Sequence, residues 1–243
     1  MYYIRISAAI QDRDEPGGKF QVYFGRAVHT MHHHKREVDP MTTETCNEVL
    51  LEGTALNTPT LSHENHGARF YRFFLEAPRL SGQADVLPVL LPEALLVPLE
   101  PGSPVHVRGQ LRSFNNRSGV GSRLVLTVYA QELEAGEGLS QNHIRLRGTL
   151  CKPPVYRRTP LGRSICDLML AVPRRYGRAD YLPVIAWGQL AARCGTLQVG
   201  DGLFLEGRVQ SRAYKKVTDA GTQDRVAYEV SMMHLLEDEE AYQ

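Results

Sequence analysis

The 243-residue chain contains no Cys-x-x-Cys pair. Cys46, Cys151, Cys166 and Cys194 stand singly, which argues against a structural zinc site and a redox dithiol and leaves them as small buried hydrophobes. Long apolar runs are also missing. The longest, Val86 to Leu99, is interrupted by Pro88, Pro92, Glu93 and Pro98 and falls short of the ~20 apolar residues of a membrane helix, so no membrane partner is expected. The opening residues Met1 to Ile6 lack the apolar core of a secretion signal, so the chain is expected to stay in the cytoplasm with reduced thiols. No Gly-rich phosphate loop, Gly-x-Ser-x-Gly turn or carboxylate cluster suited to two metal ions is found. A non-enzymatic protein without cofactor is the expectation, with isolated Asp and Glu side chains at the surface.

What is present is a repeat. Residue n of the first half recurs as residue n+95, pairing Asn47 with Asn142, Gly53 with Gly148, Pro59 with Pro154, Arg79 with Arg174 and Asp85 with Asp180. Leu87 to Val89 recurs as Leu182 to Val184. After a three-residue insertion the offset becomes 98 and aligns Gly109 with Gly207 and Ser113 with Ser211. Such a period is too long for a solenoid and suits a duplicated domain. The expected organisation is an N-terminal extension 1–45, a first domain 46–135, a linker 136–141, a second domain 142–236 and a short acidic tail 237–243.

Within the second copy the hydrophobic period is mostly two: Ile144, Leu146 and Leu150, then Cys166, Leu168, Leu170 and Val172, then Leu182, Val184 and Ala186. Gly188 to Leu197 reads as a helix, followed by strands around Leu203, Leu205 and Val209 and around Val226, Tyr228 and Val230. Five strands with a helix between the third and fourth predict an all-β chain of two tandem five-stranded Greek-key barrels of the OB type, with one short helix per domain.

If Leu182, Val184 and Ala186 point inward, Tyr181, Ile185 and Trp187, the only tryptophan, share the opposite face of the third strand. On such a barrel an exposed tyrosine and tryptophan form a stacking platform for unpaired bases; the alternative is that Trp187 packs under a loop or in a subunit interface. Charge favours the platform. The net charge of +1 hides an asymmetry: residues 142–236 carry 15 Lys or Arg against 7 Asp or Glu, a net +8, whereas 47–134 carry 7 against 9, a net −2. The basic residues fall in expected loops: Arg157, Arg158 and Arg163 between strands one and two, Arg174, Arg175 and Arg178 between strands two and three, and Arg212, Lys215 and Lys216 between strands four and five. Tyr176, Tyr181, Trp187 and Tyr214 lie among them, and basic loops around an aromatic face are what single-stranded nucleic acid requires.

The second copy resembles the bacterial single-stranded DNA-binding protein family. The resemblance is carried by Asn142 to Gly148, the basic loop between Pro154 and Gly162, Leu170 to Val172, Tyr181 to Ala191, Val199 to Asp201 and Leu205 to Tyr214. It implies that Tyr181, Trp187 and Tyr214 stack bases, and that the protein coats single strands in replication, recombination and repair, associated with the nucleoid. It also implies a homodimer supplying four OB folds, with replication or recombination proteins as possible partners.

The first copy departs from that pattern, since Val86, Pro92 and Asn116 replace the three aromatics and its charge is negative. It is expected to bind DNA weakly, with Arg112, Phe114, Arg117 and Arg123 of its last hairpin contributing. The acidic end Glu237 to Gln243 is too short to resemble the family's recruiting tail. In the extension, Tyr2 to Ile6 and Phe20 to Phe24 suggest a hairpin. His29 and His32 to His34 have no spaced carboxylate or thiolate to complete a metal site, and Met41 is a candidate natural start. The alternatives for function are an adaptor that binds another replication or recombination protein, and a single-stranded RNA binder.

Overall fold

Period-two alternation becomes strand wherever one face is buried, and here it does so along nearly the whole of both repeats. The computed structural model describes residues 46–116, 122–218 and 221–236, with backbone alone for Lys216 and Thr218. The N-terminal extension, Arg117 and the acidic tail lie outside the described residues, and with them the hairpin, histidine and Met41 readings. The first copy comprises β1 (Asn47–Ala55), β2 (Thr60–Asn65), β3 (Ala68–Pro78), β4 (Ala84–Pro92), β5 (Pro104–Asn115) and β6 (Leu124–Ala135). The second comprises β7 (Gln141–Leu150), β8 (Val155–Arg158), β9 (Ser164–Pro173), β10 (Ala179–Trp187), helix α1 (Gly188–Cys194), β11 (Gly202–Thr218) and β12 (Gly221–Leu236). No helix among the described residues is long and apolar enough to cross a membrane.

In the first copy β1 pairs with β3 and β5, β3 with β4, β4 in parallel with β6, and β6 with β5, so five strands close a ring. β7, β9, β10, β12 and β11 close the second in the same order. This is the Greek-key ring of the OB fold. Each ring carries a sixth, short strand, β2 or β8, hydrogen-bonded to the outer edge of β3 or β9. Segments read from the sequence as loops between the first two strands are therefore partly strand.

The expectation of one helix per domain holds only for the second copy. There α1 ends at Cys194, three residues before Leu197, where the Gly195 N–H bonds the Ala191 carbonyl. Among its described residues the first copy has a single 3-10 turn, Glu93–Leu95. Pro92 and Pro98 confine it: a proline supplies no N–H and disfavours the helical conformation of the residue before it.

Val49, Leu51, Phe73, Leu75, Leu87 and Val89 fill one ring and Ile144, Leu146, Leu170, Leu182, Val184 and Leu205 the other, all essentially inaccessible. Cys166 and Cys194 are buried as expected, but Cys46 and Cys151 are half-buried. Burial pushes the Cys194 thiol up to about 11. Val226 is exposed, because the β11–β12 hairpin extends beyond its own ring; Val230 and Met232 of that strand are buried in the core, and Tyr228 and Leu235 pack partly against it.

The rings are joined by an antiparallel β1–β7 ladder centred on Val49 opposite Ile144. Asn47 faces Leu146 and Leu51 faces Asn142, two pairings that the offset of 95 interchanges. The copies are thus related by a local two-fold axis through one ladder. Each ring uses its repeated asparagine alike: Asn47 bonds both backbone groups of Leu111 at 2.9 Å, and Asn142 those of Val209 at 2.7 and 2.9 Å.

Candidate nucleic-acid interface

Directly paired residues project from the same side of a sheet, so register decides which side chains share a face. Trp187 lies opposite Ile165, and Ile165 opposite Arg157. Ile185 lies opposite Asp167 and Ser231, and Ser231 opposite Arg208. From Arg208, period two along β11 adds Gln210, Arg212 and Tyr214 to that face. The structure therefore brings Tyr181, Trp187, Arg157, Arg212 and Tyr214 onto one continuous surface. Tyr181 is 51% exposed and Trp187 39%, while Ile185 between them is buried and forms the floor. Tyr176 stands apart at the tip of the β9–β10 loop, 83% exposed. Its φ of 62° is a left-handed conformation uncommon for a side-chain-bearing residue.

The basic residues sort differently from the sequence reading. Arg157 and Arg158 are adjacent on β8 rather than in a loop, so they point to opposite sides. Arg157 stays on the Trp187 face, where its Nε donates to Asp167 at 2.7 Å, a hydrogen bond that raises the Arg157 pKa. Arg158 turns to Tyr156, and hydrogen bonds with Ser164 and Arg158 hold that phenol below its usual range. Arg212, Lys215 and Lys216 belong to β11, not to a loop. Arg212 sits 5.9 Å over the Tyr214 ring and 3.7 Å from Glu229. Arg163, Arg175, Arg178 and Lys215 are exposed as expected.

Arg174 is the clear correction. It forms an ion pair with Asp180, which is completely buried, and its Nη2 donates to the Ser113 carbonyl of the first copy at 3.0 Å. It is a fastening between the two rings, not a loop cation. Arg112 joins it from the first copy at 3.2 Å from Asp180; burial lowers the Arg112 pKa, and neighbouring Arg174 adds to that effect. Ser113 also donates its N–H to Asp180, and its Oγ accepts the Tyr181 N–H at 2.7 Å. The two-fold mate repeats the pattern. Buried Asp85 pairs with Arg79 and accepts the Ser211 N–H at 2.7 Å, while Ser211 Oγ accepts the Val86 N–H at 3.1 Å. The hydrogen bond with Asp85 raises the Arg79 pKa. Gln210 occupies the position corresponding to Arg112, so Asp85 has one arginine where Asp180 has two.

Sequence reasoning placed these aspartates at the surface. The recurrence of Arg-x5-Asp in both copies was the available signal, since a buried carboxylate needs a partner held at fixed spacing. The consequence for the site is direct: the first copy's β5 fixes the backbone at Tyr181, and half-exposed Phe114 follows Ser113 along it.

The sequence profile of the single-strand binding protein family matches residues 141–236. Over that span the second copy is similar to this family. The single-stranded DNA-binding protein of Thermus thermophilus is 42% identical over 72 residues, which is 28% of this chain and 27% of that protein. Its Thermus aquaticus counterpart is 41% identical over 73 residues, 28% of each. The chain thus spans little more than a quarter of these relatives in the matched region. Structural similarity extends further. The crystal structure of wild-type single-stranded DNA binding protein from Thermus aquaticus superposes with a TM-score of 0.65 at 26% identity, over 79% of this chain and 93% of that one. A deletion mutant of the same protein gives 0.61, over 80% and 96%.

Proposed function

We propose that the chain binds single-stranded DNA with little sequence preference, bases stacking on Tyr181, Trp187 and Tyr214 while Arg157, Arg163, Arg175, Arg178, Arg212 and Lys215 attract the backbone. The observation that carries this is the register, which sets exposed Tyr181 and Trp187 on the face shared by Arg157, Arg212 and Tyr214. Every base has a π-face, so such a surface holds a strand without reading its sequence. The family match and the names of the Thermus relatives support the same ligand. Replication, recombination and repair are the processes in which exposed single strands arise, and nucleoid association would follow. The chemistry assigned to these residues is binding alone.

Trp187, the only tryptophan, makes the test simple. Oligo(dT) is expected to quench its emission, a matching duplex to bind more weakly, and affinity to fall with salt at a log-log slope of about −0.7 per phosphate neutralised. Trp187→Ala is expected to cost about 1–3 kcal/mol. Unchanged emission at saturating oligo(dT), together with normal binding by Trp187→Ala, would transfer preference to an adaptor role. Equal or tighter binding of a matching RNA would redirect the proposal to that polymer.

Two rings per chain also favour a homodimer that gathers four. Light scattering is expected to return twice the chain mass at micromolar concentration; a monomer that still bound DNA tightly would refute this assembly.

A further inference from the structure

The face of the first ring that corresponds to the Trp187 face is not bare, although Val86, Pro92 and Asn116 stand where the second copy has its stacking aromatics. Register places His63 opposite Phe70, Arg72 opposite Leu90, and Leu90 beside Tyr129. Phe74 follows two residues after Arg72 on the same side of β3. The rings of His63 and Phe70 stack at 5.0 Å and 14°, and Tyr129 tilts against Phe70 at 6.4 Å. The Arg72 guanidinium lies 5.7 Å over Phe74. His63 and Arg72 are exposed, and Phe70, Phe74 and Tyr129 half-exposed. Under the offset of 95 the positions Phe70, Arg72 and Phe74 correspond to Ile165, Asp167 and Met169. The first copy therefore carries its aromatics on β2, β3 and β6 rather than on β4 and the hairpin, and has an arginine where the second copy has the carboxylate that engages Arg157.

This surface continues the one already described. The β11–β12 hairpin crosses from its own ring onto the first: Ser211 bonds Asp85 and Val86, and Tyr228 lines a small apolar hollow with Leu87, Pro88 and Thr127. Burial raises the Tyr228 pKa, and Arg72 is near enough to pull it back. Arg212 and Tyr214, on the outward side of the hairpin, therefore adjoin the face of β3 and β4.

We propose that His63, Phe70, Phe74 and Tyr129, with Arg72 among them, form a second base-stacking surface, and that it receives the same single strand as it passes Tyr214. The first ring then extends the track across both copies instead of binding weakly. This rests on the single-stranded DNA reading of the second copy. One OB fold holds ~4–16 nucleotides, so oligo(dT) of about 8 probes the Trp187 site and one of about 30 engages both rings.

With the full chain, Phe70→Ala combined with Phe74→Ala is expected to weaken the long strand at least about fivefold, with a much smaller effect on quenching of Trp187 by the short one. Arg72→Glu, at an exposed position, gives the same selective loss with both phenylalanine rings retained, and the loss shrinks at high salt. Ultraviolet crosslinking of a bromodeoxyuridine-substituted long strand is expected to modify the peptide containing Phe70 and Phe74. Equal long-strand affinity in wild type and Arg72→Glu, with no crosslink to that peptide, overturns the proposal. A change of oligomeric state with affinity intact overturns it too, and marks the face as a contact between copies. If no strand quenches Trp187, the reading of the second copy falls and this one with it.

Discussion

Asp180→Ala is expected to destabilise the protein by about 3 kcal/mol or more, because it leaves Arg112 and Arg174 facing each other without the carboxylate between them. Removing one partner of a buried ion pair costs more than the pair itself contributes, since the remaining charge keeps its desolvation penalty. Asp180 is fully inaccessible and also accepts the Ser113 N–H, so a buried donor is orphaned as well. The arginines are about one quarter exposed, and the water they reach holds the loss near the lower end of the 3–5 kcal/mol range. Asp85→Ala should cost less, because one arginine rather than two loses its carboxylate, while a serine N–H is orphaned in either variant. Urea denaturation of the two variants checks both the size and the order. A loss below about 1 kcal/mol for Asp180→Ala would show that the inter-ring clamp is not a stabilising element. A second readout follows from the same geometry. Ser113 holds the backbone at Tyr181, so oligo(dT) affinity should fall in Asp180→Ala beyond what unfolding explains.

The other large effect is expected at Gly207. A Cβ there would lie 2.3 Å from the Ser231 carbonyl oxygen, a distance no carbon can hold, and the neighbour is backbone that cannot swing aside. Gly207 sits at the irregularity in the β11–β12 ladder, and Gly109, its counterpart under the offset of 98, occupies the matching irregularity of β5–β6. There the clash would be with the Tyr129 carbonyl at 2.1 Å. The bulge draws the strands together so that each ring can turn its corner. Gly207→Ala is expected to cost about 3 kcal/mol or more, measured by urea or thermal unfolding. Gly202→Ala on the same strand, where nothing lies within 4 Å of an added Cβ, should change stability by less than about 1 kcal/mol. Equal effects at the two positions would show that propensity, not close approach, conserves the repeated glycine. Ser231 lies on the rung that joins Ile185 to Arg208, so a distorted bulge at Gly207 also shifts the floor of the Trp187 face.

Much of this was present in the order of residues. Period two along Leu182, Val184 and Ala186 put Tyr181 and Trp187 on the opposite face, and the exposures follow. A strand's alternation is local, set by the backbone pleat within a few residues. The offsets of 95 and 98 likewise fixed that whatever ring one copy formed, the other would form too. Exceptions arose where one copy lost a local requirement: Pro92 and Pro98 removed the first copy's helix.

The destinations of charged and aromatic side chains were decided elsewhere. Arg157, Arg158 and Arg174 read alike as basic loop residues. One shares the Trp187 face, its neighbour turns to Tyr156, and the third is fastened to Asp180 and Ser113. Ser113 and Asp180 are separated by 67 residues, and Ser211 and Asp85 by 126. No local period encodes which of them meet. The sequence by itself determined two like barrels and the inward and outward sides of their strands, because pleating is a short-range property. Only the tertiary structure decided which arginines stay exposed and that the first copy's aromatics form a face of their own, because the one depends on contacts between the docked copies and the other on pairings among strands distant in the sequence.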